Sequence, residues 1–208
     1  MKMKRTTGTL ITIGALALSQ LTAPAAVIYD NLGSIEEYGL EVFSAYSTSP
    51  ATSVAMSFTV GNTGGTLTSV VVGLGGGYNG GFGLKLYSAG NDLPLSLLGG
   101  LSGESTPSSP ALYTYIPTAP TSLAANTTYF IVASAGGSES LYSWNFGLAQ
   151  TGAYANDGSG WIDQVASASM QVNADLSAVP EPSEWAAISF GVLGLVYVAK
   201  RRFMPARA

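Results

Sequence analysis

The chain has 208 residues, no cysteine, no histidine and a formal net charge of −4. Lacking cysteine it has no disulfide or thiolate chemistry, and lacking histidine as well it has lost the usual transition-metal ligands and the commonest acid–base group, which leaves oxygen ligands and carboxylates. Lys2, Lys4, Arg5, Lys200, Arg201, Arg202 and Arg207 crowd the ends, and between Val27 and Val179 the single cation Lys85 stands against ten carboxylates, a net −9 that disfavours nucleic acid and anionic lipid surfaces as partners.

Residues 1–25 read as a secretory signal peptide. Lys2, Lys4 and Arg5 form the charged region, Leu10 to Leu18 the apolar region, and Ala23-Pro24-Ala25 a small-x-small cleavage site, with Ala26 as an alternative edge. The competing reading is a permanent helical anchor. Nine residues reach only ~14 Å as a helix, whereas a spanning helix needs about 20 residues. The implied partners are the Sec translocon and signal peptidase.

Residues 26–178, about 150 in all, suit one domain of ordinary size. The first clear strand is Val54 to Val60, with Val54, Met56, Phe58 and Val60 on one face. A Gly61 to Gly65 turn leads to a strand at Leu67 to Leu74. Gly75-x-Gly77-x-x-Gly80 matches a dinucleotide fingerprint in letters, but a strand follows where a helix N-terminus would have to receive the phosphate, so it reads as a glycine-rich hairpin loop. In that strand, Gly83 to Ser88, Leu84 and Leu86 face in while Lys85 and Tyr87 face out. Leu95 to Leu101 and Tyr113 to Ile116 follow, separated by a loop at Ser102 to Pro110. Leu123 to Tyr129 is a turn running into a buried strand at Thr128 to Ser134, and its Asn126-Thr127-Thr128 sequon reads as chance. Leu141 to Phe146 and Ser169 to Ala174 are the last strands, on either side of a loop at Thr151 to Gly160 that holds the turn Asn156-Asp157-Gly158. No amphipathic helix interrupts them. The fold class expected is all-β, an antiparallel β-sandwich, jelly-roll-like, flanked by an N-terminal signal helix and a C-terminal hydrophobic helix.

Residues 179–208 form a three-part tail. Val179-Pro180-Glu181-Pro182 opens it, Trp185 to Ala199 is apolar, and Lys200-Arg201-Arg202 closes it. The apolar run covers ~22 Å as a helix, against a hydrocarbon core of about 30 Å. The basic cluster belongs on the cytoplasmic side, so the middle of the chain faces outward, in agreement with the signal peptide. The alternative is a plain membrane tail anchor. The order of these parts resembles the PEP-CTERM sorting signal of Gram-negative bacteria. That resemblance implies transient membrane insertion, cutting near the proline motif by an exosortase, a membrane-embedded cysteine transpeptidase, and release to the outer surface in species that make exopolysaccharide. Six residues, Phe203 to Ala208, follow the basic cluster, slightly more than such a tail needs. The middle resembles the choice-of-anchor β-domains, most nearly the R type, at Val54 to Val60, Leu67 to Val70, Leu84 to Ser88, Leu123 to Tyr129 and Tyr142-Ser143-Trp144. This second likeness implies a fold and an extracellular setting, with no activity attached.

Chemistry-bearing clusters are few. No Gly-x-Ser-x-Gly is present and no histidine could activate a serine. A glycoside hydrolase built on paired carboxylates is the one enzyme class left, drawing on Glu36, Glu37, Glu41, Asp157 and Asp163. Asn156, Asp157 and Asp163 could offer oxygens to calcium, but they lack EF-hand spacing and read as a turn. No metal or cofactor is implied. Tyr78, Tyr113, Tyr115, Tyr142, Trp144, Tyr154 and Trp161 could supply ring faces to a sugar, with Tyr142, Trp144 and Trp161 as the candidate carbohydrate contacts. The alternative for Trp144 and Trp161 is that they anchor the core. The expectation is a non-catalytic surface or matrix protein, structural or adhesive and associated with exopolysaccharide. A carbohydrate-binding module is the alternative.

Overall fold

The computed structural model describes residues 25–36, 38–44, 51–137, 139–149 and 151–176. Both expected flanking helices fall outside these residues, as do Ala23, Val179, Pro180, Glu181, Pro182, Lys200, Arg201 and Arg202. Among the described residues there are thirteen strands and no helix. They are β1 (Ala26–Asp30), β2 (Gly39–Phe43), β3 (Ser53–Thr59), β4 (Gly65–Tyr78), β5 (Gly81–Gly90), β6 (Leu93–Ser102) and β7 (Ala111–Pro117), then β8 (Ser122–Leu123), β9 (Thr128–Gly136), β10 (Leu141–Asn145), β11 (Ala153–Asn156), β12 (Trp161–Gln164) and β13 (Met170–Leu176).

The strands join in one antiparallel sheet in the order β1-β13-β4-β7-β6-β5-β9-β3-β11-β12, with β10 set between β2 and β4 and β8 added to β4. The sheet has two halves, linked where β6 meets β7 through the pairs Leu101 with Pro117 and Ser102 with Ile116. The halves share one hydrophobic core. Val54, Met56 and Phe58 of β3 and Leu84 and Leu86 of β5 come from one half; Val70, Val72 and Leu74 of β4 and Trp144 of β10 come from the other. Aromatic pairs cross the core: Tyr29 with Phe58 at 6.3 Å, Phe82 with Tyr115 at 5.9 Å and Phe82 with Tyr142 at 5.3 Å between ring centroids. Each large side chain so buried contributes about 1.5–3 kcal/mol.

The alternating segments behave as their spacing predicts. Val54, Met56, Phe58 and Val60 are buried on the core side, and Leu84 and Leu86 point in while Lys85 is exposed. β5 turns into β6 through Asn91 and Asp92, both at positive φ (51° and 60°), the two-residue turn whose twist suits a hairpin.

Two expectations need correction. The loop expected over Thr151 to Gly160 contains the strand β11, and Asn156-Asp157-Gly158 is the turn that joins it to β12. Gly75 to Gly80 is not a hairpin loop either. Gly75, Gly76 and Gly77 belong to β4, which ends at Tyr78, and the chain then crosses by way of Asn79 and Gly80 to β5, which pairs with β6 and β9. The glycines serve a close approach instead: a Cβ on Gly77 would run into the Tyr142 ring and the Leu141 carbonyl of β10.

The first and last strands of the domain are neighbours. β1 pairs with β13, with Ala26 opposite Ala174, so the start of one and the finish of the other lie at the same end of the sheet.

Candidate binding surface

Tyr142 and Trp144 share the inward face of β10, which alternates with the polar Ser143. Both are buried, at 1% and 0% exposure. The Trp144 indole donates to the Ser169 carbonyl at 2.8 Å, and the Tyr142 hydroxyl donates to the Gly80 carbonyl. With ring faces and polar tips both committed inside, neither is a sugar contact in this fold. The expectation that they reach a carbohydrate is corrected, and they anchor the core. Tyr115 is buried too and donates to the Glu104 carbonyl at 2.6 Å, while Tyr113 donates to the Ser109 carbonyl at 2.8 Å.

Trp161 sits elsewhere. It opens β12 at the margin of the second half and packs, partly exposed, on a small cluster separate from the core. This cluster lies on the outer face of the sheet. Its base is Ala55, Phe130 and Val132, and Tyr87, Ala89, Tyr154 and Trp161 close over it. The register explains the assembly. Asp163, Tyr154, Ala55, Val132 and Lys85 lie in one row across β12, β11, β3, β9 and β5. Trp161 and Asn156 begin the next row, and Ser57, Phe130 and Tyr87 form another. At about 4.8 Å per strand, the row from Asp163 to Lys85 spans roughly 19 Å.

The aromatic geometry is specific. Tyr154 meets Phe130 edge-to-face at 5.6 Å, an arrangement that suits the ring quadrupoles. Phe130 is 1% exposed although it points away from the core, because the tyrosines cover it. Burial first, and then the carboxylates of Asp163 and Asp92, hold the Tyr154 hydroxyl above its ordinary value, so it stays a neutral donor. A carboxylate at one end of the row and an ammonium at the other flank this aromatic platform. Ring faces with hydrogen-bonding groups at the margins are what the apolar side and the hydroxyls of a sugar require.

The carboxylates considered for glycoside hydrolysis or calcium are dispersed. Glu36 accepts from the Ser34 hydroxyl at 2.8 Å, and Glu41 lies on β2 in the first half. A groove of about 260 Å³ beside β2 is lined by Tyr38, Glu41, Tyr142 and Ser143, with Glu41 its one carboxylate among the described residues. Glu37 lies outside them. Asp157 and Asp163 belong to the hairpin of the second half. Asn156 accepts from the Gly158 amide at 2.8 Å, and one Asp157 oxygen accepts from both the amide and the hydroxyl of Ser159. These bonds hold the Asp157 carboxyl below its usual range and close the turn. Among the described residues no three acidic side chains gather as metal ligands do.

Of the cleavage-region residues, Ala25 is exposed and Ala26 is the first residue of β1. The sequence reading missed Phe130 as part of a surface cluster. A signal was present: Tyr129 to Ala133 is apolar without a break, as befits a strand covered on both faces. The sequence matches no family model, and no curated protein matches it significantly.

Proposed function

We propose that this chain is an exported bacterial surface or matrix protein, sorted by an exosortase and non-catalytic, with a structural or adhesive role in exopolysaccharide. Its domain is read as a β-sandwich of jelly-roll-like type. The observation that carries the reading is where the outermost described strands lie relative to the two motifs. β1 begins at Ala26, directly after Ala23-Pro24-Ala25, and β13 ends at Leu176, just before Val179-Pro180-Glu181-Pro182. Cutting at both motifs would leave the sheet whole. The test is the intact mass of the protein from envelope and medium, with and without a functional exosortase. The expected mature species begins near Ala26 and ends between Val179 and Pro182 only when the enzyme is present. A chain that keeps Lys200, Arg201 and Arg202 in both strains is a tail-anchored protein, and the sorting reading is then wrong.

The outer aromatic platform favours a second reading, a carbohydrate-binding module. Trp161 stays in it as a contact, joined by Tyr154 and Tyr87, and Tyr142 and Trp144 leave it. Trp161→Ala and Tyr154→Ala are each expected to weaken retention on exopolysaccharide by about 1 kcal/mol, roughly fivefold, in affinity electrophoresis. Unchanged retention in the double variant would remove the platform from binding.

A further inference from the structure

We infer that β6 is a self-association edge, and that its partner is β6 of a second copy of this chain. On one side β6 pairs with β5 from Leu93 to Leu101, with the register shifting between Leu86 and Tyr87 and again between Tyr87 and Ala89. On the other, β7 reaches it only at Leu101 and Ser102, and the Thr118 amide caps the Gly100 carbonyl at 3.0 Å. The segment Leu93 to Leu98 has no strand beside it there among the described residues. It is also apolar and outward: Leu95, Leu97 and Leu98 are 67%, 56% and 44% exposed.

Charge selects the occupant. Sheet margins are usually blunted by charges. The marginal strands β1, β2 and β12 carry Asp30, Glu41 and Asp163. In a domain of net −9, these keep copies from pairing there. From Leu93 to Gly103 no residue is ionisable, so β6, unlike the equally uncharged but two-residue β8, is a margin long enough for two such acidic copies to meet without opposing carboxylates. Asp92 stands at the hairpin tip, and an antiparallel pairing about a two-fold axis near Ser96 puts the two Asp92 side chains at opposite ends of the ladder. The two segments are then self-complementary, as an isologous dimer requires. Pro94 removes one ladder donor close to the end of the segment and leaves Leu95 to Leu98 free to pair. The inference rests on the fold and is independent of the export and sugar readings.

The absence of cysteine makes the test direct. Leu95→Cys, Ser96→Cys and Leu97→Cys are made singly in the full-length chain, with Thr114→Cys on the outer face of β7 as control. Opposed residues in such a ladder stand about 4.5–5.5 Å apart at Cα, inside the disulfide range of roughly 4.4–6.8 Å. At least one edge variant is expected to form a covalent dimer on mild oxidation well ahead of the control. Adding Leu97→Lys to Ser96→Cys brings two ammonium groups together and is expected to cut the dimer about fivefold. Leu97 is exposed, so the core stays intact, and near-ultraviolet circular dichroism of buried Trp144 verifies that in the same sample. Edge cross-linking no faster than the control overturns the inference. So does fast cross-linking indifferent to the lysine, which would mean an accessible hairpin and nothing more.

Discussion

At the residue scale, two tryptophans divide the molecule's work between core and surface. Trp144 has a polar tip bonded to the Ser169 carbonyl and no exposed surface, whereas Trp161 closes an outer cluster and keeps part of its ring in solvent. The difference is faintly written in the sequence. Asp163 is two residues after Trp161, so it shares the same face, and a carboxylate on that face points to water. Around Trp144 the same-face neighbour is Tyr142 and the intervening residue is Ser143, the pattern of an inward face. Composition alone treats the two indoles alike. The buried tyrosines carry a pH consequence. Burial, and secondarily the Glu104 carboxylate, push the Tyr115 hydroxyl far above its ordinary 10.0, and burial also raises Tyr29 and Tyr142. Above about pH 10 the unfolded chain loses these protons while the native state keeps them, so the native state binds more protons and stability falls as pH rises. Below the ordinary tyrosine value the effect vanishes. Urea midpoints are therefore expected to be flat to about pH 9 and to drop beyond pH 10. Tyr115→Phe should lower the stability at neutral pH by about 1 kcal/mol through the lost bond, with a lower urea midpoint, and make the alkaline drop shallower. An unchanged alkaline slope would exclude Tyr115 as its source.

At the element scale, the legible strands are those with strict alternation against a single core. β3 and β5 announce themselves this way. β1, β2, β11 and β12 do not, since they are four or five residues long and lie at the margins of the sheet or, for β11, next to one. Local pattern also says little about pairing. β4 and β5 are consecutive in the chain, separated by a turn signal, yet they belong to opposite halves because β10 and β9 are their respective partners. What decides this is a distant contact, the fit of the β10 backbone and the Tyr142 ring over Gly77. Any side chain at 77 meets that ring and the Leu141 carbonyl. Gly77→Ala is thus expected to destabilise the domain by about 1–3 kcal/mol, with the loss of amide exchange protection greatest in β2 and β10. Uniform protection at wild-type levels would show that the approach is looser than the geometry demands.

At the scale of the whole molecule, the all-β class follows from turn density and the absence of any helical period, and the structure agrees. The closing of two halves through a short β6–β7 junction was not legible, because two residue pairs fix it. Nor was the outer platform, which collects seven side chains from five strands, most of them far apart in the chain. One feature of the topology bears on how the domain would behave under tension. β13 lies between β1 and β4, paired with four residues of one and seven of the other. A pull applied at Leu176 acts along this strand, whereas the ladder bonds on either side run across it. Such a load strains both rows of bonds together, in shear, and cannot peel them one after another. The domain therefore meets a load along β13 with both of that strand's ladders at once.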